Sequence, residues 1–188
     1  MTLRGKIDFG ELTDTGRVRE HDEDAIGSIP DIGLMVLADG MGGYNAGEVA
    51  SGIAVQIVTD LAADGATRED RDDIDPHSGL MRQSIVLRDA VYRANKIIYQ
   101  TAQSQTHCEG MGTTIVAAMF YDNKLSIAHV GDSRAYRLRD SKLDQITLDH
   151  SLLQELVDRG FYSEEEAQRS TNRNYVTRAL GVEPTVEV

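Results

Sequence analysis

Apolar residues in the first half of the chain follow a strand-like pattern once and a helical pattern twice. Residues 32–38 form a short apolar run bounded by proline and glycine, which predicts a buried strand. Helical spacing of apolar residues then predicts one helix over about 46–61 and a second over about 80–103. The charge-dense stretch 64–76 between them has too little apolar content to pack and is predicted to be a mobile surface loop. We therefore expect two helices after one strand.

The pattern is strand-like again beyond the second helix. The predicted strands, expected to form one sheet, are 113–119, 124–130, 134–138 and 143–147, with a hairpin turn at Tyr121-Asp122-Asn123. Short helices are predicted at 151–159 and 163–169, where Ser163 and Glu166 fit a capping box. Residues 184–188 have the alternation of a further strand, so we expect a domain whose C-terminal part is missing. Grouped strands and grouped helices predict an α+β sandwich.

The composition and the N-terminal sequence argue against a nucleic-acid-binding, a secreted or a membrane protein. Nineteen basic and 31 acidic residues among 188 give a net charge of −12, which argues against general nucleic-acid binding. The N-terminus lacks the apolar region of a secretory signal, and Cys108, the single cysteine, cannot form an internal disulfide. No apolar run approaches the ~20 residues of a membrane span. We expect a cytoplasmic protein that neither binds nucleic acid nor enters a membrane.

The strongest chemical motif is Asp39-Gly40-Met41-Gly42-Gly43, directly after the predicted strand 32–38. A carboxylate at a rigid strand end can bridge two Mg²⁺ or Mn²⁺ ions, and a glycine carbonyl can approach as a further ligand. The alternative is a tight turn in which Asp39 caps the following helix.

A second motif, residues 16–24, places Arg19 close to Glu23 and Asp24. A guanidinium can hold a phosphate with two hydrogen bonds, while the acids hold water molecules around a metal. The alternative is a solvated charged turn.

A third motif combines the strand start at 110–114 with Asp132, which follows another predicted strand. Asp132 could reach a cation shared with Asp39. Alternatively, it could bond Ser133, Arg134 and nearby turn amides.

Taken in order, these motifs resemble those of the metal-dependent protein phosphatases, the type 2C serine/threonine phosphatases, and most closely their compact bacterial members. The residues that carry the resemblance are 16–24, 39–43, 110–114, 131–134, 149–151 and 173–181. The resemblance implies one domain over 1–188, with a four-layer α-β-β-α sandwich of two antiparallel sheets flanked by helices. It also implies a flap beside the active site at 151–180.

The resemblance further implies the roles of individual residues. Two Mn²⁺ or Mg²⁺ ions are expected, with a third, weaker ion. The implied roles are metal bridging by Asp39, a carbonyl ligand from Gly40, phosphate binding by Arg19, acids close to the metals at Glu23 and Asp24, and the third ion at Asp132.

The implied reaction is hydrolysis of phosphoserine or phosphothreonine in proteins by a metal-bridging water, with a serine/threonine kinase opposing it. Two departures stand out. Met41 occupies a position where some relatives have a histidine proposed as general acid, and methionine cannot donate a proton. The family's later aspartate-glycine and aspartate-asparagine motifs have no counterpart before Val188, so this chain alone is expected to lack a complete centre.

Three other interpretations compete with this one. A regulatory or binding module could keep the fold without the chemistry, and an unrelated magnesium-dependent hydrolase could act on small phosphate esters. A cysteine phosphatase is disfavoured because Cys108 lacks a phosphate-cradling loop and a downstream arginine. His21, His129 and His150 are expected to be structural or surface residues.

Overall fold

A computed structural model describes residues 3, 5–19, 21–43, 46–66, 73–170 and 175–188. Its larger sheet has the strand order β1-β2-β4-β5, with the short strand β3 paired to β2. The strands are β1 (Asp24–Ile29), β2 (Leu34–Met41), β3 (Gly112–Thr113), β4 (Ile115–Tyr121), β5 (Lys124–Val130), β6 (Tyr136–Arg139) and β7 (Lys142–Gln145). The helices are α1 (Ala46–Ala66), α2 (Arg82–Ser104), α3 (Leu152–Asp158) and α4 (Glu164–Arg169). All strand pairings are antiparallel.

One face of the larger sheet is covered by α1 and α2. Alternate residues of β2, namely Leu34, Val36 and Ala38, are buried against these helices. Alanines such as Ala50 and Ala54 on α1 are fully buried and allow the helix to approach the sheet closely. The core therefore lies between this sheet and the helix pair.

The opposite face of the larger sheet also carries apolar side chains. A groove of about 720 Å³ runs along this face, bordered by β6, by Ile146 directly after β7 and by residues 10–12. The side chains of Leu37, Val116 and Ile127 line it, and Leu37 is 38% exposed. The fold class is confirmed: helices flank two antiparallel sheets, of which the second, β6-β7, has two strands.

Most predicted elements are confirmed. Both long helices form, and the β4-β5 hairpin turns at Asp122 and Asn123 with φ of 42° and 58°, the left-handed values of a tight hairpin turn. Ser163 and Glu166 form the predicted capping box at α4.

Four expectations were wrong. The strand β1 precedes β2, because residues 24–29 pair along the whole of it despite their weak apolar pattern. Residues 134–138 do not extend the larger sheet, since β6 pairs only with β7. No strand forms at 184–188, although Val186 and Val188 pack against the core. The predicted loop begins later than expected because residues 64–66 are helical, while 67–72 lie outside the described residues.

The expectation that the protein does not enter a membrane stays a prediction. By length and composition, α1 is apolar enough to cross a membrane, the one such helix in the described part of the chain. It packs instead against β1, β2 and α2, so its apolar residues are explained by the core.

Candidate active site

Two aspartates face each other across the β1-β2 ladder. Asp24 pairs directly with Asp39 in the antiparallel register, so their side chains lie on the same face of the sheet. Both side chains are exposed. Like charges directly opposite each other destabilise a sheet. A cation between the two carboxylates would relieve that repulsion.

The charge state of Asp39 reflects its neighbours. Partial removal from water, followed by repulsion from Asp24, raises the pKa of Asp39 to about 6. The positive charge of Arg19 opposes this shift, and the carboxylate of Asp132 adds to it. The structure therefore brings Arg19, Asp24, Asp39 and Asp132 within electrostatic reach of one another.

Gly40 is fixed by close backbone packing. A Cβ atom built on Gly40 would lie 2.2 Å from the Gly47 carbonyl oxygen of α1, so any side chain there would collide with backbone. The Gly40 amide donates to the Glu23 carbonyl oxygen at 3.1 Å. The Glu23 carboxyl group packs against Gly47, 2.8 Å from a Cβ built there. Close contact between β2 and the start of α1 thus sets the position of residues 39–43, the end of β2 and the turn after it, here called the Asp39 loop.

The capping alternative for Asp39 is wrong. Helix α1 begins at Ala46, whose amide donates to the Gly43 carbonyl oxygen at 3.1 Å. Asp39 itself still belongs to β2. Its carboxylate faces Asp24 across the ladder instead.

Thr113 and Thr114 hold the backbone of Asp39. The Asp39 carbonyl oxygen accepts from Thr113 Oγ1 at 3.0 Å and from the Thr114 amide at 2.9 Å. The Asp39 amide donates to Thr114 Oγ1 at 3.1 Å, and that hydroxyl lies 2.6 Å from Ser133 Oγ. The sequence predicted no role for Thr114, although it lies in the motif 110–114. Ser133 was considered only as an alternative hydrogen-bond partner of Asp132.

The turn that carries Asp132 depends on Gly131. Gly131 has φ of +106°, and a Cβ there would lie 2.6 Å from Thr114 Cγ2. Arg134 does not bond Asp132: its Nε and Nη2 donate to Asp149 at 2.8 and 2.5 Å. Asp132 is half-buried and contributes to the charge around Asp39.

The segment that carries Arg19 is shaped by local hydrogen bonds. The Gly16 amide donates to Asp14 Oδ1 at 2.7 Å, and Thr13 donates to Asp22. Asp22 also accepts from the Asp24 amide at 3.0 Å, and hydrogen bonding lowers its pKa. The Arg19 side chain is exposed. Asp22 is thus an anchoring residue that the sequence analysis did not single out.

The residues present fit a divalent hard cation. Mg²⁺ and Mn²⁺ take oxygen ligands, and Mg²⁺ usually keeps several waters and binds through one or two carboxylates. The paired carboxylates of Asp24 and Asp39 provide that kind of donor. Within the described ranges, no group of three or more His, Cys, Asp or Glu side chains has a metal-binding arrangement. The ligand set is therefore partial.

A family model described as "Protein phosphatase 2C" matches residues 17–180, which include Arg19, Asp39 and Asp132. The chain belongs to the protein phosphatase 2C family. It is 40% identical over 179 residues to serine/threonine phosphatase stp of Listeria welshimeri, and this match covers 94% of the chain and 68% of the relative.

Solved structures agree with this family assignment. The serine/threonine phosphatase PstP/Ppp of Mycobacterium tuberculosis superposes with a TM-score of 0.77 at 37% identity, covering 93% of this chain and 67% of that one. The catalytic domain of PstP in complex with 2 manganese ions superposes with a TM-score of 0.72 at 37% identity, covering 93% and 67%.

The other residues singled out in the sequence are Met41, Cys108, the predicted flap and Arg173. Met41 packs toward Gly112, its Cε 2.9 Å from a Cβ built there. Cys108 is buried, with 1% of its surface exposed. The predicted flap contains α3 and α4, which border a groove of about 740 Å³ shared with Gln145. Arg173, part of the family resemblance, lies outside the described residues.

Proposed function

We propose that the chain forms the metal-binding and phosphate-binding part of a metal-dependent protein serine/threonine phosphatase. The observation that carries this proposal is the register pair Asp24–Asp39, with Arg19 and Asp132 acting on the same carboxylate. Membership of the protein phosphatase 2C family supports it.

In this proposal Arg19 receives the phosphate of the substrate. Its exposed guanidinium can donate two parallel hydrogen bonds to phosphate oxygens. Because its charge also acts on Asp39, phosphate bound to Arg19 would lie next to the acidic pair. Arg19 thereby orients the phosphorus atom toward the cation site.

Asp39, the Gly40 carbonyl and Asp132 would hold the cations, with Glu23 and Asp24 close by. Divalent ions bound there would supply Lewis-acid stabilisation and an activated water for in-line attack on phosphorus. The chain's own residues hold the site in shape: Thr114 fixes the Asp39 backbone, and Ser133 links it to the Asp132 turn. Manganese in the PstP catalytic domain supports Mn²⁺, and Mg²⁺ and a third ion at Asp132 are part of the proposal.

The proposed substrates are phosphorylated proteins, and the proposed counterpart is a serine/threonine kinase. The net charge of −12 disfavours nucleic acid as a substrate or partner. We place the protein in the cytoplasm, without membrane attachment, and assign residues 151–180 as a flap that affects substrate access.

A regulatory module with the same fold is the second candidate. It is favoured by one observation, the partial set of metal-binding side chains in the described part of the chain. Such a module would keep the phosphate contact at Arg19 without turnover.

The deciding experiment is Mn²⁺-dependent phosphate release from a phosphothreonine peptide, with a chelator control and a nucleotide as competing substrate type. In a protein that carries the complete metal centre, we expect turnover by the wild type, almost none with Asp39→Asn, and a raised KM at similar kcat with Arg19→Ala. Turnover of the nucleotide alone would favour a hydrolase of small phosphate esters.

Matched variants separate these roles from general charge effects. Arg17→Ala removes a neighbouring exposed arginine, and Asp122→Asn removes an aspartate at the opposite end of the sheet. Both are expected to behave as wild type. Peptide binding without any turnover would favour the regulatory module, and equal effects of Arg17→Ala and Arg19→Ala would contradict the phosphate role of Arg19.

A further inference from the structure

Two histidines stack beside the Asp132 turn. The rings of His129 and His150 lie 4.7 Å apart, centroid to centroid, and are inclined by 16°. His129 lies in β5, and its Nε2 donates to the Leu148 carbonyl oxygen at 2.8 Å. His150 follows the β6-β7 sheet along the chain. The stack therefore joins an edge of the larger sheet to the segment that leads into α3.

His150 contacts two separate segments, 129–131 and 177–178. Its backbone amide donates to the Gly131 carbonyl oxygen at 3.0 Å, and its carbonyl oxygen accepts from the Thr177 amide at 2.9 Å. Its ring atom Nδ1 accepts from the Gly131 amide at 3.1 Å. Both backbone groups of Gly131 are thus bonded to one residue.

These contacts determine the protonation of the His150 ring. A backbone amide can only donate, so Nδ1 must be unprotonated, and a neutral ring then carries its proton on Nε2. Arg178 Nη1, 3.3 Å from Nε2, can also only donate, and a neutral ring has one acceptor nitrogen. We assign the acceptor to Nδ1 because the Gly131 contact is the shorter one, so Arg178 brings positive charge to the ring without a hydrogen bond. A proton added at Nδ1 would meet the Gly131 N–H group directly.

The charged surroundings favour the neutral ring. Burial, then Arg178 and then His129, lower the pKa of His150 to about 4, whereas Glu187 and Asp149 oppose the shift. Glu187 pairs with Arg178 at 2.9 Å and holds the guanidinium in place. His150 is therefore neutral at pH 7 and keeps Nδ1 available as an acceptor.

We propose that neutral His150 is a positioning residue that holds the Gly131-Asp132-Ser133 turn through the Gly131 amide. Ser133, at the other end of this turn, is held by the Thr114 hydroxyl. Asp132 lies between these two anchors, which position its backbone together with the bond from the His150 amide to the Gly131 carbonyl oxygen. The role assigned to Asp132 rests on the proposed function, whereas the hydrogen bond to Gly131 does not.

Two substitutions test the acceptor itself. In His150→Asn the amide oxygen can take the place of Nδ1, and this side chain does not titrate; His150→Ala removes the acceptor. We expect amide hydrogen exchange at Gly131, measured by NMR at pH 7, to accelerate at least tenfold in the alanine variant and to stay within about threefold of wild type in the asparagine variant. His107→Ala, at an exposed histidine, is the control.

Unchanged Gly131 exchange in the alanine variant would overturn the proposal, as would an asparagine variant that exchanges as fast as alanine. The ring nitrogens of the wild-type protein give a second measurement that needs no variant. ¹⁵N chemical shifts should report an unprotonated Nδ1 at pH 7 that stays unprotonated at pH 5.5. A His150 ring protonated at pH 6.5 would contradict the assignment even if the alanine variant did not fold.

Activity separates this inference from the proposed function. If His150 positions Asp132 in a working phosphatase, the alanine variant should need at least tenfold more Mn²⁺ for half-maximal peptide dephosphorylation, and the asparagine variant should restore the wild-type requirement. If Gly131 responds as expected but no variant, including wild type, dephosphorylates the peptide, the positioning contact stands and the proposed function fails.

Discussion

The two aspartate loops of the site are held by different means. The Asp39 loop is fixed by backbone packing, because Gly40 lies against Gly47 with no room for a side chain. The Asp132 turn is fixed by side chains from elsewhere in the chain, through Thr114 to Ser133 and through His150 to Gly131. In the first arrangement an added Cβ would meet backbone, whereas in the second it would meet the Thr114 side chain, and the second can also be loosened one hydrogen bond at a time. We therefore expect a substitution at Gly40 to lower the stability strongly, and the loss of one hydrogen bond at the Asp132 turn to lower it less.

The largest effect is expected at Gly40. Gly40→Ala forces a Cβ atom against the Gly47 carbonyl oxygen, and backbone cannot rotate away, so we expect the free energy of unfolding to fall by about 3 kcal/mol. Denaturant unfolding measures this. Gly52→Ala in α1, where nothing lies within 4 Å of the new Cβ, should be neutral or stabilising by about 0.5–1 kcal/mol. Equal losses for the two variants would contradict the packing argument.

A smaller effect is expected at Thr114, where the two loops meet. Thr114→Val keeps the shape but removes the acceptor of the Asp39 amide and the contact to Ser133, so we expect a loss of about 1–3 kcal/mol. Thr101→Val removes only a hydroxyl that donates to Ile97 within α2 and should cost much less. A Thr114 variant as stable as the Thr101 variant would show that the link between the loops contributes little.

The contrast between the loops explains what the sequence could predict. The aspartate-glycine motif after an apolar run placed Asp39 at a strand end, because local periodicity and glycine content carry that information. The anchors of the Asp132 turn could not be found in this way, since Thr114 and His150 reach Ser133 and Gly131 only through tertiary contacts. The same limit applies to the second sheet: the strand-like pattern of residues 134–138 was right, but pattern alone does not say which strand it pairs with.

The smallest expected effect is a change in pH dependence at Asp39. Its pKa is raised from 3.8 to about 6, so in the metal-free protein the folded state binds more protons than the unfolded state between these values. Its contribution is therefore most favourable below about pH 4, and stability falls as pH rises through 6. Asp39→Asn should be more stable than wild type at pH 7 by less than about 1 kcal/mol, because the side chain is exposed and screened by solvent.

Thermal unfolding of metal-free protein at pH 4 and pH 7 tests this sign. The advantage of Asp39→Asn should be absent at pH 4. Asp122→Asn, on the β4-β5 turn, is the control for loss of an exposed aspartate elsewhere in the chain. If Asp39→Asn is less stable than wild type at pH 7, then repulsion from Asp24 does not destabilise the ionised Asp39 carboxylate in the folded protein.

The most direct test of the site is Mn²⁺ binding measured by isothermal titration calorimetry on wild type, Asp39→Asn and Asp122→Asn. We expect wild type and Asp122→Asn to bind Mn²⁺ alike, and Asp39→Asn to bind it at least tenfold more weakly, a difference of about 1.4 kcal/mol or more. Equal Mn²⁺ affinity in Asp39→Asn and wild type would contradict the assignment of Asp39 as the central metal ligand.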